Sequence, residues 1–180
     1  MPVNIEIKAE AADWNAQLNR AKKLCGARRE LVQEDVFFNC RRGRLKLRVL
    51  GKKKESYLIF YQRPNRAGSK RSHFETSPVP DPDSMIKLLS KALGEGKTVK
   101  KKRILLLAGQ TRIHFDAVAG LGRYIEIEVC LKPGQSETEG KTIVGDWMRR
   151  LHIAEPDLLQ GAYADMLGGA AGRRRGRGRR

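Results

Sequence analysis

Along much of the chain, apolar and polar residues alternate with a period of two. In "NIEIKAE", residues 4–10, Ile5, Ile7 and Ala9 alternate with Asn4, Glu6, Lys8 and Glu10, which predicts a strand with one apolar and one charged face. The period then lengthens: Trp14, Leu18, Ala21 and Leu24 fall at helical spacing, so a helix is predicted over Ala11–Leu24, with Gly26 beyond it as a stop signal. Strand patterns return at 31–39, 43–51, 55–63 and 70–79, separated by turn-like segments such as "CRRG" and "PNRAGS". A second helix is predicted over 81–93, with Asp81 or Asp83 as its cap, Pro82 early in its first turn and Gly94 at its end. Three more strands follow at 97–108, 111–118 and 123–131. Next comes a helix over 136–153, opened by the capping-box pattern "SETE", and residues 155–169 read as one or two short closing helices. The two meanders with helices between them predict one α+β domain over 1–168, and 169–180 read as a disordered Arg/Gly-rich tail.

The polar faces of these strands carry an uncommon content. Glu6 and Lys8 share a face, as do Arg44, Lys46 and Arg48, Lys101 and Arg103, Arg112, His114 and Asp116, and Glu126 and Glu128, with mostly apolar residues between them. One reading is an antiparallel sheet with a solvated face. The other is a sheet curled into a barrel whose polar face lines the interior. A lumen holding both signs suits a ligand whose phosphate oxygens meet cations while carboxylates hold a divalent metal such as Mg²⁺.

Charge supports a polyanionic partner. The formal net charge is +17 over 180 residues; the last eight, "RRRGRGRR", hold six arginines, so the body keeps about +11. That tail reads either as a solvated appendage or as a weak nucleic-acid contact through Arg173 to Arg180, without interleaved aromatics for stacking. Apolar stretches stay well short of a membrane span, no signal-peptide pattern follows Met1, and a cytoplasmic or nuclear location is expected. Cys25, Cys40 and Cys130 are odd in number and widely spaced, against a disulfide framework or zinc site. "KALGEGKTV" ends like a phosphate-binding loop, but the required first glycine falls at Lys91 and the order helix-then-strand is reversed. The histidines show no metal-ligand spacing, and His114, which shares a face with Asp116, reads as a hydrogen-bonded bystander.

The series "NIEIK", "GRLKLR", "YQRP", "VKKKR", "TRIHFD" and "YIEIEV" resembles the CYTH superfamily, the triphosphate tunnel metalloenzymes, in that family's motif order from residue 4 to about 131. The resemblance implies an eight-stranded antiparallel β-tunnel with flanking helices. Within it, Glu6, Asp116, Glu126 and Glu128 would hold Mg²⁺ or Mn²⁺, and Lys8, Lys46, Arg48, Arg63, Lys70, Lys101, Arg103 and Arg112 would hold the triphosphate. Glu6, Lys8, Glu126 and Glu128 are the implied catalytic set. The chain departs from the family's ExExK signature at Asn4, where an amide replaces the first carboxylate, implying either a weaker metal site or a rim position that never touches metal.

Three functions follow from the resemblance: a metal-dependent triphosphatase acting on inorganic, thiamine or nucleoside triphosphate; a class IV-type adenylyl cyclase; and a non-catalytic triphosphate or RNA-end binding module. A small-molecule triphosphate is the expected partner of a monomer or homodimer.

Overall fold

The computed structural model describes residues 3–51, 55–65 and 68–167. The order is β1 (Val3–Glu10), α1 (Trp14–Leu24), β2 (Ala27–Phe38), β3 (Arg44–Leu50), β4 (Glu55–Gln62), β5 (Lys70–Pro78), α2 (Pro82–Leu93), β6 (Glu95–Ala108), β7 (Thr111–Val118), β8 (Gly122–Cys130), α3 (Glu137–Leu151) and a 3-10 turn, Glu155–Asp157. The eight strands close into an antiparallel barrel in the order β1-β5-β4-β3-β2-β6-β7-β8. Each meander pairs sequential strands, while β1 is inserted between β5 and β8, and β2 joins the two meanders by pairing with β6.

The apolar positions of the alternation point outward, under the helices. Ile5, Ile7, Ala9, Ile113, Phe115, Ile125, Ile127 and Val129 form one cluster with Leu18 and Ala21 of α1 and Val144, Trp147 and Leu151 of α3. Trp14 meets Phe115 edge to face at 5.3 Å between ring centroids. A Cβ on Gly140 would lie 2.6 Å from Ile5 Cγ1 and 2.7 Å from Leu131 Cδ2, so only glycine lets α3 approach β1 this closely. A second cluster gathers Val36, Phe38, Leu47 and Val79 against Met85, Ile86 and Leu89 of α2. The two apolar layers therefore lie outside the barrel, which leaves the charged face to line its interior.

The caps follow the sequence. Asp81 accepts from the Ser84 N–H, and Ser136 and Glu139 form the reciprocal capping box. Three boundaries differ from expectation. The first helix starts at Trp14 because Asp13 caps it, accepting from the Ala16 N–H. The second strand begins at Ala27, four residues early, because "ARRE" pairs with Ile104–Leu107 although its side chains do not alternate in polarity. The closing segment is only a 3-10 turn and a helical turn at 163–167, with an extended stretch between them in which Leu158 bridges to Ala9. The Arg/Gly-rich tail, including Arg173 to Arg180, lies outside the described residues.

Candidate active site

The barrel encloses a cavity of about 380 Å³ lined by Glu6, Lys8, Asp35, Lys46, Arg48, Arg63, Lys101, Arg103, Arg112, His114, Glu126 and Glu128, among others. Strand register explains their convergence: Lys8 lies opposite Glu126 and Glu6 opposite Glu128 across β1 and β8, and Arg103 lies opposite Asp116 across β6 and β7.

Each carboxylate is engaged. Arg103 forms a fork on Asp116, 2.6 Å through both Nε and Nη2, while the Tyr163 hydroxyl donates to Asp116 Oδ2 at 3.0 Å. Glu126 Oε2 accepts from Lys8 Nζ and Arg103 Nη2, each at 3.0 Å. Arg112 Nε donates to Glu128 Oε2 at 2.9 Å, Arg63 donates to Glu6, and the Asn4 amide donates to Glu128. On the other side Asp35 accepts from Lys46 at 3.0 Å and from Arg48 at 2.7 and 2.8 Å, with Lys101 Nζ 3.9 Å away.

Burial makes these charges unequal. Burial first, then Glu126 and Glu128, raise the Glu6 carboxyl above its ordinary value, with Arg63 and Lys8 opposing. For Glu126 burial acts upward but Lys8, with His114 and Arg103, overrides it and holds the carboxyl well below the usual range; Lys46 and Arg48 do the same for Asp35. Burial and the Arg103 guanidinium lower Lys101 to about 7, and burial and Arg48 lower Lys46 to about 8. Among the described residues, four buried side-chain polar atoms lack a hydrogen-bond partner: Asn4 Oδ1, Gln33 Oε1, Arg63 Nε and His114 Nδ1. All four belong to inward-facing residues, so the unmet polar capacity is concentrated in the lumen.

Three residues are placed differently from the expectation: Asp116, expected as a metal carboxylate, is fully buried behind the lining, held by the Arg103 fork and the Tyr163 hydroxyl, and Lys70 and Asn4 follow. Lys70 is fully buried and donates to the Leu159 and Gln160 carbonyls at 2.7 and 2.8 Å; it ties down the closing segment and is not a cavity-lining cation. Asn4 is 1% exposed, its amide donating to Glu128, and it stands outside the cavity lining beside the acidic arc. Sequence reasoning missed Asp35 and Tyr163. The signal for Asp35 was its register in the hairpin around "CRRG", where it falls opposite Arg48, and the adjacent Glu34 masked it; Tyr163 had no comparable signal, because its ring reaches Lys8, 3.9 Å from the ring centroid, from the far end of the chain. His114 is not simply hydrogen-bonded: its ring nitrogens lie 3.9 Å from Glu126 and from Glu128.

Among the described residues no group of three or more His, Cys, Asp or Glu side chains forms a ready-made metal site, because each carboxylate is turned onto a cation. The donor set still fits a hard divalent ion. Glu6, Glu126 and Glu128 crowd one arc, burial and that crowding together raise Glu6, and the Asn4 Oδ1 acceptor beside them is unpartnered.

These features define a class, an acid-and-base-lined antiparallel β-tunnel, and the family model for the CYTH domain matches residues 3–163. The chain belongs to the CYTH domain family. No curated protein matches it in sequence. Among solved structures, the PH1012 protein of Pyrococcus horikoshii superposes with a TM-score of 0.78 at 23% identity, covering 90% of this chain and 98% of that one. HpAC1 of Hippeastrum, a candidate adenylyl cyclase described as having a dominant triphosphatase activity, gives 0.65 at 13% identity over 94% and 96%. The Pct1 RNA triphosphatase of Schizosaccharomyces pombe gives 0.53 at 14% over 87% and 86%. At these identities the likeness is one of fold. No helix among the described residues is long and apolar enough to cross a membrane.

Proposed function

We propose that the protein is a metal-dependent triphosphatase that grips a small triphosphate inside the tunnel. One observation carries this reading: the half-buried Lys46 and Arg48 of β3 and the buried Lys101 and Arg103 of β6 share one cavity with an arc of β1 and β8 rich in carboxylates, Glu6, Glu126 and Glu128. A chain of phosphates between the two arcs would replace carboxylates as partners of the cations, and the released carboxylates would be free to take Mg²⁺ or Mn²⁺. Bound there, the ion would supply Lewis-acid polarisation of a phosphoryl oxygen.

In this reading Lys46, Arg48 and Lys101 hold the phosphate chain, and Arg63 offers its unpartnered Nε to it. Arg112 guards the end of the chain nearer Glu128. Arg103 touches both Asp116 and Glu126, so Asp116 fixes the guanidinium while Glu6, Glu126 and Glu128 are the metal carboxylates. Lys8, held between Glu126 and the Tyr163 ring, neutralises charge that gathers on the transferred phosphoryl group. The fold that the chain shares with HpAC1, a protein described as having a dominant triphosphatase activity, is compatible with hydrolysis. The test is phosphorus NMR of products after incubation with ATP, thiamine triphosphate and tripolyphosphate in Mg²⁺ or Mn²⁺. Orthophosphate with the matching diphosphate is expected; cyclic AMP with pyrophosphate, or no turnover of any substrate by folded protein, would overturn the proposal.

A further inference from the structure

The cations of the basic arc come from two meanders, and one strand joins them. Lys46 and Arg48 belong to β3 and Lys101 and Arg103 to β6, while β2 lies between and pairs with both. Of the β2 residues that line the cavity, Leu31, Gln33, Asp35 and Phe37, only Asp35 is ionisable. Register sets it directly opposite Arg48 and diagonal to Lys101, which faces Gln33. Asp35, 2% exposed, accepts the Arg48 fork and one bond from Lys46, and its carboxylate lies 3.9 Å from Lys101 Nζ. Lys101 Nζ is also 3.5 Å from Asp116, which holds Arg103. Cations and carboxylates therefore alternate from β3 to β7, and Asp35 is the link across the seam between the meanders.

A carboxylate has no place in an anion site on charge alone, because it repels the ligand that the cations attract. We infer that Asp35 is a positioning residue for a phosphate chain: it clamps the cations of β3 and β6 in one frame, so that they meet successive phosphates together and select a chain over a single phosphate. The inference rests on the triphosphate reading of the tunnel. The contacts of Asp35 differ in kind. Arg48 gives its fork to both oxygens of a buried carboxylate, a bond that fixes the guanidinium plane and whose loss would strand the acid, so it stays when the anion arrives. Lys46 gives one bond from a flexible stem, with the Phe37 and Tyr61 ring centroids 5.4 and 5.5 Å away, and can turn to a phosphate oxygen. A preorganised frame keeps the ordering of long side chains out of the binding step, and this offsets the repulsion.

Calorimetric titration of the full chain in a chelator, with tripolyphosphate and with orthophosphate, separates positioning from charge because the two predict opposite signs. Asp35→Asn keeps the shape, removes the charge and cannot accept the fork, since its amide nitrogen would face a guanidinium donor. Positioning predicts that tripolyphosphate binding weakens although a negative charge has left the site, and that its advantage over orthophosphate falls about tenfold, the cost of ordering freed long side chains. Tighter or unchanged binding of both anions would make Asp35 a mere counter-charge, and equal weakening of both would make it structural; either result overturns the inference. A second measurement needs no substitution at Asp35: heteronuclear NMR of the arginine Nε–H signals before and after tripolyphosphate, with the Arg48 signal assigned by its absence in Arg48→Lys. That signal is expected to stay protected from exchange, and loss of protection on adding the anion would overturn the inference as well. Failure of tripolyphosphate to bind the unaltered protein would overturn the tunnel reading together with it.

Discussion

The two arcs of the tunnel wall are built by the same alternation of apolar and charged residues, yet they are charged differently. The arc of β1, β7 and β8 carries Glu6, Glu126 and Glu128 against Lys8 and Arg112, with Asp116 buried behind it, whereas the arc of β2, β3 and β6 carries Lys46, Arg48, Lys101 and Arg103 against Asp35 alone. Each arc alone would be a costly concentration of like charge in a buried space; facing each other they neutralise, as Arg103 does by reaching Asp116 and Glu126. On the proposed reading the ion pairs of the lumen stand in for a ligand: a polyanion would take the place of carboxylates as partner of the basic arc, and a cation the place of ammonium and guanidinium groups as partner of the acidic one.

The largest effect should come from cutting the bridge between the arcs. Arg103→Ala leaves Asp116 buried without its fork, and denaturant melts should record a loss of about 3–5 kcal/mol, with activity lost as well. Glu126→Gln keeps shape but removes a carboxylate from the acidic arc. Metal-dependent turnover should fall by about a hundredfold, while tripolyphosphate binding without metal is kept or strengthened; a parallel loss of both would make Glu126 structural. Asn4→Glu is a sharpening change: it adds a carboxylate beside Glu128, so Mn²⁺ affinity should rise and ligand-free stability should fall, both read by calorimetry.

Acidity separates the arcs next. Lys101 near 7 and Lys46 near 8 lie below the ordinary lysine value of 10.5, so above these values the folded chain holds fewer protons than the unfolded one. Their contribution to ligand-free stability therefore improves as pH rises from about 7 toward 10.5. Metal-free tripolyphosphate affinity should move the opposite way, weakening by about tenfold between pH 6.5 and 9 as those ammonium groups lose their charge. Titrations at both pH values, beside melts of the free protein, check the opposed signs. The smallest effect is expected of Tyr163→Phe, which keeps the ring over Lys8 and removes one hydrogen bond to Asp116, at about 1 kcal/mol in a melt.

How much of this was legible depends on where the physical signal resides. A charged residue between two apolar ones announces its face, so Glu6, Lys46 and Glu126 could be assigned to one side of their strands, and the family resemblance turned that side inward; Arg103, flanked by Lys102 and Ile104, sits in a strand whose alternation is ambiguous. Asp35 follows Glu34, and a pair of adjacent acids does not say which of them faces in; the register with Arg48 decides it. Lys70 looked like another phosphate cation because its partners, the Leu159 and Gln160 carbonyls, are backbone groups that leave no mark in side-chain pattern. Tyr163 belongs to the same blind spot, since contacts across more than a hundred residues of chain depend on how the closing segment folds over the mouth.

The most direct test is a calorimetric titration of tripolyphosphate into the protein in a chelator, followed by Mg²⁺ or Mn²⁺ into the free protein and into the complex. The account predicts anion binding without metal, and metal binding that is markedly stronger once the anion has taken the basic arc. Metal affinity that is the same with and without the anion, or no anion binding at all, would contradict the division of labour between the two arcs.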